Sequence, residues 1–153
     1  MSKIDQFKGK YEFLSNFYPC VIEYEGIIYP STEHAYQASK TLNVEFRRLI
    51  SEMPTPGKAK KAGKIIDVIE DWDKIKYKVM YEVCSKKFQI PELRQKLLDT
   101  GSSELVEGNW WHDNTWGVCG CEKCPGVGHN FLGRVLMVIR NDIILSNLFN
   151  NDH

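Results

Sequence analysis

The sequence predicts an α+β fold, a helix-dominated single domain with a small antiparallel sheet, and three observations predict it. Several segments keep apolar residues at helical spacing. The strongest is residues 130–148, where Leu132, Leu136, Ile139 and Ile143 form one stripe that suits the middle of a core. One short run near the N-terminus, residues 21–24, turns at Glu25-Gly26 and returns through residues 27–29, the pattern of a β-hairpin. The chain has 153 residues, 42% apolar and 26% charged, which is ordinary for one globular domain whose core is expected between about residues 7 and 148.

The first thirty residues read as β-like up to Pro30. A first helix is expected from Thr32 to about residue 42, capped by Ser31 or Thr32. A second, over residues 44–53, carries Phe46, Leu49 and Ile50 on one side, and Pro54 and Pro56 break it. A third spans about residues 57–66. Asp71-Trp72-Asp73 opens a long helix with Ile75, Val79, Val83 and Phe88 at roughly helical spacing, and Pro91 starts a short one through Leu97 and Leu98. Residues 103–107 alternate enough for a strand. Residues 108–128 then form a long loop rich in Trp, Gly and Cys, too aromatic to be disordered and of a length that is usually functional.

Lysine and arginine balance aspartate and glutamate at a net charge of zero, which argues against a whole-domain footprint for nucleic acid. The charge is uneven, however: residues 58–96 hold eleven Lys/Arg against six acids, an excess of five that suits either an anionic ligand or a solvated helix face. No apolar stretch approaches the roughly 20 residues of a membrane helix, and no signal peptide is evident. Five cysteines, an odd number, make a disulfide framework improbable, so a reduced cytoplasmic protein is expected.

Three segments are candidates for chemistry. On the first helix, Glu33, Tyr36, Gln37 and Lys40 fall at i, i+3, i+4 and i+7 and so point the same way. Buried in a cleft, this acid–amide–amine face is a reactive site; exposed, it is a solvated charge pair. Near the N-terminus, Ser15 and Asn16 offer polar contacts between aromatic anchors, Phe13 and Phe17. In the long loop, Trp110, Trp111 and Trp116 offer stacking surfaces for a planar ring, or core beneath the loop, and Asp113 among them suits a general acid. The same loop contains Cys119, Cys121 and Cys124 with His112 and His129 nearby. Three thiols and one imidazole satisfy a tetrahedral structural zinc site. Thiols packing as small hydrophobes are the simpler expectation, and no cofactor is otherwise called for.

Four blocks, YEFLSNFYP, YPSTEHAYQASK, GNWWHDNTWG and GVGHNFLGRVLMVIR, stand in this order and together resemble the NADAR (NAD- and ADP-ribose-associated) family, from about Phe7 to Arg140. The resemblance implies a compact, mainly helical domain that hydrolyses N-glycosidic bonds. Family substrates include ADP-ribose joined to guanine in nucleic acid and ribosylamine phosphates of early riboflavin synthesis. Removal of ADP-ribose from guanine in DNA is the first expectation, the riboflavin intermediates the second. A non-catalytic ADP-ribose- or NAD-binding module is the third, although binding alone does not require both Glu33 and Lys40. By position, the resemblance implies roles for Glu33, Lys40, Asn16, Asp113 and Asn130, and a place near the pocket for Trp72. The segment from Cys119 to Cys124 departs from the family pattern, in which shorter members pass directly from WG to a glycine-rich turn. Glu33 is then the acid/base. Lys40 is either a Schiff-base nucleophile or a phosphate partner, and the indoles stack on the base. The oligomeric state stays open.

Overall fold

The computed structural model describes residues 2–124 and 126–151. In chain order the elements are β1 (Lys3–Ile4), a 3₁₀ helix (Gly9–Leu14), β2 (Ile22–Tyr24), β3 (Ile27–Tyr29), α1 (Thr32–Ala38), α2 (Val44–Ser51), α3 (Pro56–Ile65), α4 (Trp72–Lys87), α5 (Pro91–Asp99), β4 (Glu104–Leu105), β5 (Gly108–Asn109), β6 (Val118–Cys119) and α6 (Phe131–Asn151). The helices begin where the chain supplies a reason to begin. Ser31, Asn43 and Thr55 each accept the backbone N–H three residues ahead, capping α1, α2 and α3. Pro56 and Pro91 occupy the first turns of α3 and α5, where their missing N–H is no loss.

The chain divides into two compact units, one of residues 16–89 and one formed by residues up to 15 with those from 90 onward. In the 16–89 unit, α1 is the buried centre, all seven of its residues shielded from solvent, with α2, α3, α4 and β3 packed against it. The hairpin β2–β3 is antiparallel, with Ile22 opposite Tyr29 and Tyr24 opposite Ile27 on the buried face and Glu23 opposite Ile28 outward. Glu25 (φ 49°) and Gly26 (φ 83°) both take left-handed backbone, as a two-residue turn that matches strand twist requires.

In the other unit, β1 pairs in parallel with β4, and β5 with β6. α6 packs on β4 and α5. Buried Arg140 on α6 donates to the Thr100 hydroxyl (2.8 Å) and the Ser103 carbonyl (2.9 Å), tying the α5–β4 turn down. Asn130 does similar work one helix end earlier. Its amide donates to the Leu105 carbonyl and its Oδ1 accepts the Glu107 N–H, so both ends of the side chain are engaged.

Several expectations need correction. Two of the three strand pairs are parallel, because β1 and β4 meet across about a hundred intervening residues and no local pattern announces such a pairing. The first thirty residues are not uniformly β-like: Gly9–Leu14 is a 3₁₀ helix whose Phe13 and Leu14 point inward. α1 stops at Ala38, four residues short of the expected end, with Ser39 as its C-cap. On α2 only Ile50 is buried, while Phe46 and Leu49 lie about half exposed. On α6, Leu132, Leu136 and Ile139 enter the core as expected, but Ile143, expected on the same stripe, is only half-buried, and Leu145, Leu148 and Phe149 beyond it are exposed.

Candidate active site

α1 is a short helix made almost entirely of core, and its polar side chains are held by neighbours rather than by water. Buried Ser31 accepts the His34 N–H (3.1 Å), and its hydroxyl meets His34 Nδ1 at 2.6 Å. The far ring nitrogen, Nε2, lies 3.0 Å from the Met53 carbonyl. An imidazole donating through Nε2 and accepting through Nδ1 is neutral, and burial pushes its pKa below the ordinary 6.5. His34 is therefore a structural pin. At the helix start, the Asn16 carbonyl accepts the Glu33 N–H (3.1 Å), and the Thr32 hydroxyl donates to Asn16 Oδ1 (2.9 Å). Asn16 Nδ2 lies 3.3 Å from the Met80 sulfur. Asn16 thus positions Glu33 from within the protein.

Glu33 is buried, and Gln37 one turn on donates from Nε2 to Glu33 Oε1 at 2.8 Å. That bond orients the carboxylate and fixes which way the amide faces. The other amide atom, Gln37 Oε1, is buried without a hydrogen-bond partner and points at Gly63 of α3. A Cβ at position 63 would sit 1.8 Å from Oε1 and 2.8 Å from Cδ, so only glycine lets α3 approach this amide. Nothing in the residues around Gly63 marks it in the sequence as part of a site. A glycine inside a helical pattern is the one signal that pointed to it.

Lys40 lies beyond the helix, not on it. Its N–H bonds to the Gln37 carbonyl and the Thr41 N–H to that of Ala38, so the chain keeps winding in a tighter turn. This keeps Lys40 beside the α1 face, with Nζ 5.8 Å from the centre of the Tyr36 ring. Lys40 is half-buried. Desolvation chiefly, helped by Lys64, Lys60 and Lys76, lowers its pKa below the ordinary lysine range, and the Glu33 carboxylate opposes that fall. Trp72, the buried first residue of α4, sits against Tyr36 with ring centres 5.2 Å apart. The Lys40 carbonyl accepts the Ile69 N–H (2.9 Å), and the Ile69 carbonyl accepts that of Trp72 (3.1 Å), linking the lysine turn to this aromatic wall. Glu33, Gln37, Tyr36, Lys40 and Trp72 are thus brought together within the 16–89 unit.

The remaining candidates have other surroundings. Phe17 is 44% exposed. Ser15 donates its N–H to the Glu12 carbonyl (2.9 Å) as the C-cap of the 3₁₀ helix. Trp110 and Trp111 are more than half exposed, while Trp116 is half-buried and edge-on to Phe131 (6.5 Å). Asp113 Oδ1 accepts the N–H groups of Thr115 and Trp116, which makes it a turn-building carboxylate. Asn130 is engaged at both ends, as described above. Packing as small hydrophobes does not describe the loop thiols: Cys119 is buried, Cys121 and Cys124 are half-buried, and all three meet His112. His129 lies instead in a stack on Phe131 (5.2 Å, 17°).

A small helical α+β protein whose most buried helix carries a fixed carboxylate beside a desolvated lysine is the class that fold and site define. The chain belongs to the NADAR family, whose domain model matches residues 4–144. It is 36% identical over 139 residues to an N-glycosidase of Nostoc punctiforme, spanning 87% of this chain and 86% of that one. It is 33% identical to the N-glycosidase YbiA of Escherichia coli, over 88% and 83% of the two chains. A riboflavin biosynthesis protein of Vibrio vulnificus is 36% identical over 86% of this chain, which spans only 35% of that longer protein. The NMR structure of Escherichia coli YbiA superposes with a TM-score of 0.81 at 31% identity, covering 97% of this chain and 89% of that one. N-glycosidases are therefore the enzyme class to which family and fold assign the chain.

Proposed function

We propose that this N-glycosidase hydrolyses the bond between a phosphorylated ribose and a nitrogen, acting on phosphoribosylamine intermediates of riboflavin synthesis. The observation that carries the proposal is the buried Glu33 carboxylate, oriented by Gln37, with the desolvated Lys40 beside it. The name of the Vibrio vulnificus relative supports the pathway. Lys60, Lys64 and Lys76, close enough to depress Lys40, supply positive charge for a phosphate.

In the reaction the sugar ring opens to a C1′=N imine, and the Lys40 amine, its neutral form favoured by burial, adds to C1′ as the C1′=N π bond breaks and one amine proton passes to the substrate nitrogen. The C1′–N bond then breaks, and the departing nitrogen takes its proton from Glu33. Water hydrolyses the lysine–C1′ linkage, Glu33 recovers a proton, and free lysine and the sugar aldehyde are released. Tyr36 and Trp72 line the aromatic side of the site. Glu33→Gln and Lys40→Ala should each lower turnover at least a hundredfold, about 2.7 kcal/mol in barrier, while the thermal unfolding transition survives. Wild-type turnover by either variant overturns the assignment. Borohydride added during turnover should leave a mass adduct on Lys40. Without an adduct, the lysine acts only as a phosphate partner.

A second reading, ADP-ribose removed from guanine in DNA, is favoured by one observation: four lysines gathered in one region exceed what a single phosphate needs and suit a pyrophosphate. Release of ADP-ribose from an ADP-ribosylated guanine oligonucleotide, compared with release of ribose 5-phosphate from a riboflavin-pathway phosphoribosylamine, decides between the two. A reducing, cytoplasmic setting accords with five cysteines, an odd number. Among the described residues, no helix is long and apolar enough to cross a membrane.

A further inference from the structure

The glycosidase chemistry leaves one group of reactive side chains unused. His112 Nδ1 and the sulfurs of Cys119, Cys121 and Cys124 all lie within 4.8 Å of one another. Nδ1 is 3.3 Å from the Cys124 sulfur, 3.4 Å from that of Cys121 and 3.9 Å from that of Cys119, and the Cys121 and Cys124 sulfurs are 3.2 Å apart. A tetrahedral zinc ion, with bonds of about 2.3 Å to sulfur and about 2.0 Å to nitrogen, places its ligands about 3.8 Å apart for S···S and about 3.5 Å for N···S. The three nitrogen–sulfur separations bracket that spacing, and the Cys121 and Cys124 sulfurs need move apart only by about 0.6 Å to reach it.

The backbone holds them there. Cys119, on β6, donates its N–H to the Val127 carbonyl and accepts the Gly126 N–H (3.0 and 2.9 Å), which folds the chain back over itself. The Cys124 N–H bonds to the Cys121 carbonyl and the Val127 N–H to that of Cys124, two tight turns in succession that present both thiols from one side. His112 takes φ 68°, a left-handed conformation that costs a residue with a Cβ of order 1 kcal/mol or more and persists where the surroundings impose it. Here they do. Buried Asn109 accepts the N–H groups of Trp111 and Asp113 and donates to the Asp113 carbonyl, clamping the chain on both sides of the histidine.

We propose that His112, Cys119, Cys121 and Cys124 form a structural zinc site that staples the residue 108–128 loop. Three thiolates and an imidazole suit Zn²⁺ rather than a hard cation, and four protein ligands leave no position for a substrate, so the ion is structural. The inference is independent of the proposed glycosidase chemistry. Protein purified under reducing conditions should hold one zinc per chain by elemental analysis. Cobalt replacing zinc should give the thiolate charge-transfer absorption of a tetrahedral site. Cys119→Ser and Cys124→Ser should abolish metal retention against a competing chelator, and His112→Ala should weaken it at least tenfold. His129→Ala should retain metal as the wild type does. Chelation should lower the thermal midpoint of the wild type. If the cysteine variants fail to fold, the wild-type stoichiometry and cobalt spectrum decide. Reduced protein that takes up no zinc, or whose metal is lost in His129→Ala and kept in His112→Ala, overturns the site; so does a Cys121–Cys124 disulfide in metal-free protein.

Discussion

At the scale of single residues, orientation of the Glu33 carboxylate depends on an amide and on a residue with no side chain. Gln37 holds Oε1 at 2.8 Å, and Gly63 leaves the space that this amide occupies. Gly63→Ala must displace the Gln37 amide, so its effect should fall more on turnover than on folding. We expect turnover to fall tenfold or more, against a stability cost of about 1–3 kcal/mol. Gly57→Ala, whose new carbon would meet nothing nearer than 3.9 Å, should leave both unchanged and serves as the control. Urea unfolding of both variants beside steady-state kinetics measures this, and equal losses of activity in the two would refute the role of Gly63. Of these residues Glu33 and Gln37 were legible from spacing, because a helical period places them together whatever surrounds them; Lys40 joins them from a tighter turn past the helix end. Gly63 was not, because its partner is a side chain on another helix.

At the scale of the element, α1 is seven residues long, too short to be stable by its own hydrogen bonds, and is held by packing and by its capped end. Ser31 caps the helix and also meets the His34 ring, which in turn reaches Met53 beyond α2. Ser31→Ala should cost about 1–2 kcal/mol in urea unfolding, since the cap is buried. The His34 pKa is lowered by burial. As the pH falls below 6.5, the unfolded chain takes up the proton before the folded one does, so it binds more protons across that window. Stability is therefore full above 6.5 and declines as the pH drops through the lowered folded value. His34→Gln should show a shallower decline between about pH 7 and about pH 5.5. An unchanged slope would mean that the histidine is not held neutral.

At the scale of the whole molecule, zero net charge and a local excess of lysine predict an enzyme that holds a phosphorylated ligand without clinging to nucleic acid. Hydrolysis of a small phosphoribosyl substrate should therefore be insensitive to excess unmodified duplex DNA, even at low salt. Inhibition relieved by added salt would instead support the DNA adduct as substrate. The helix-rich α+β class, the hairpin and the family were readable along the chain, because caps, prolines, period and block order are local signals. The parallel strand pairs were not, because each depends on a partner distant in sequence or across a long loop.

By itself the sequence determined where helices start, which residues share the α1 face, and to which family that face belongs. These follow from hydrogen-bond donors and side-chain periods that act within a few residues. Only the tertiary structure decided that the face is buried, that Lys40 joins it from a turn beyond the helix, and that His112 rather than His129 meets the three thiols. Burial and convergence are set by which distant segments exclude water from a group, and no short stretch of sequence encodes that.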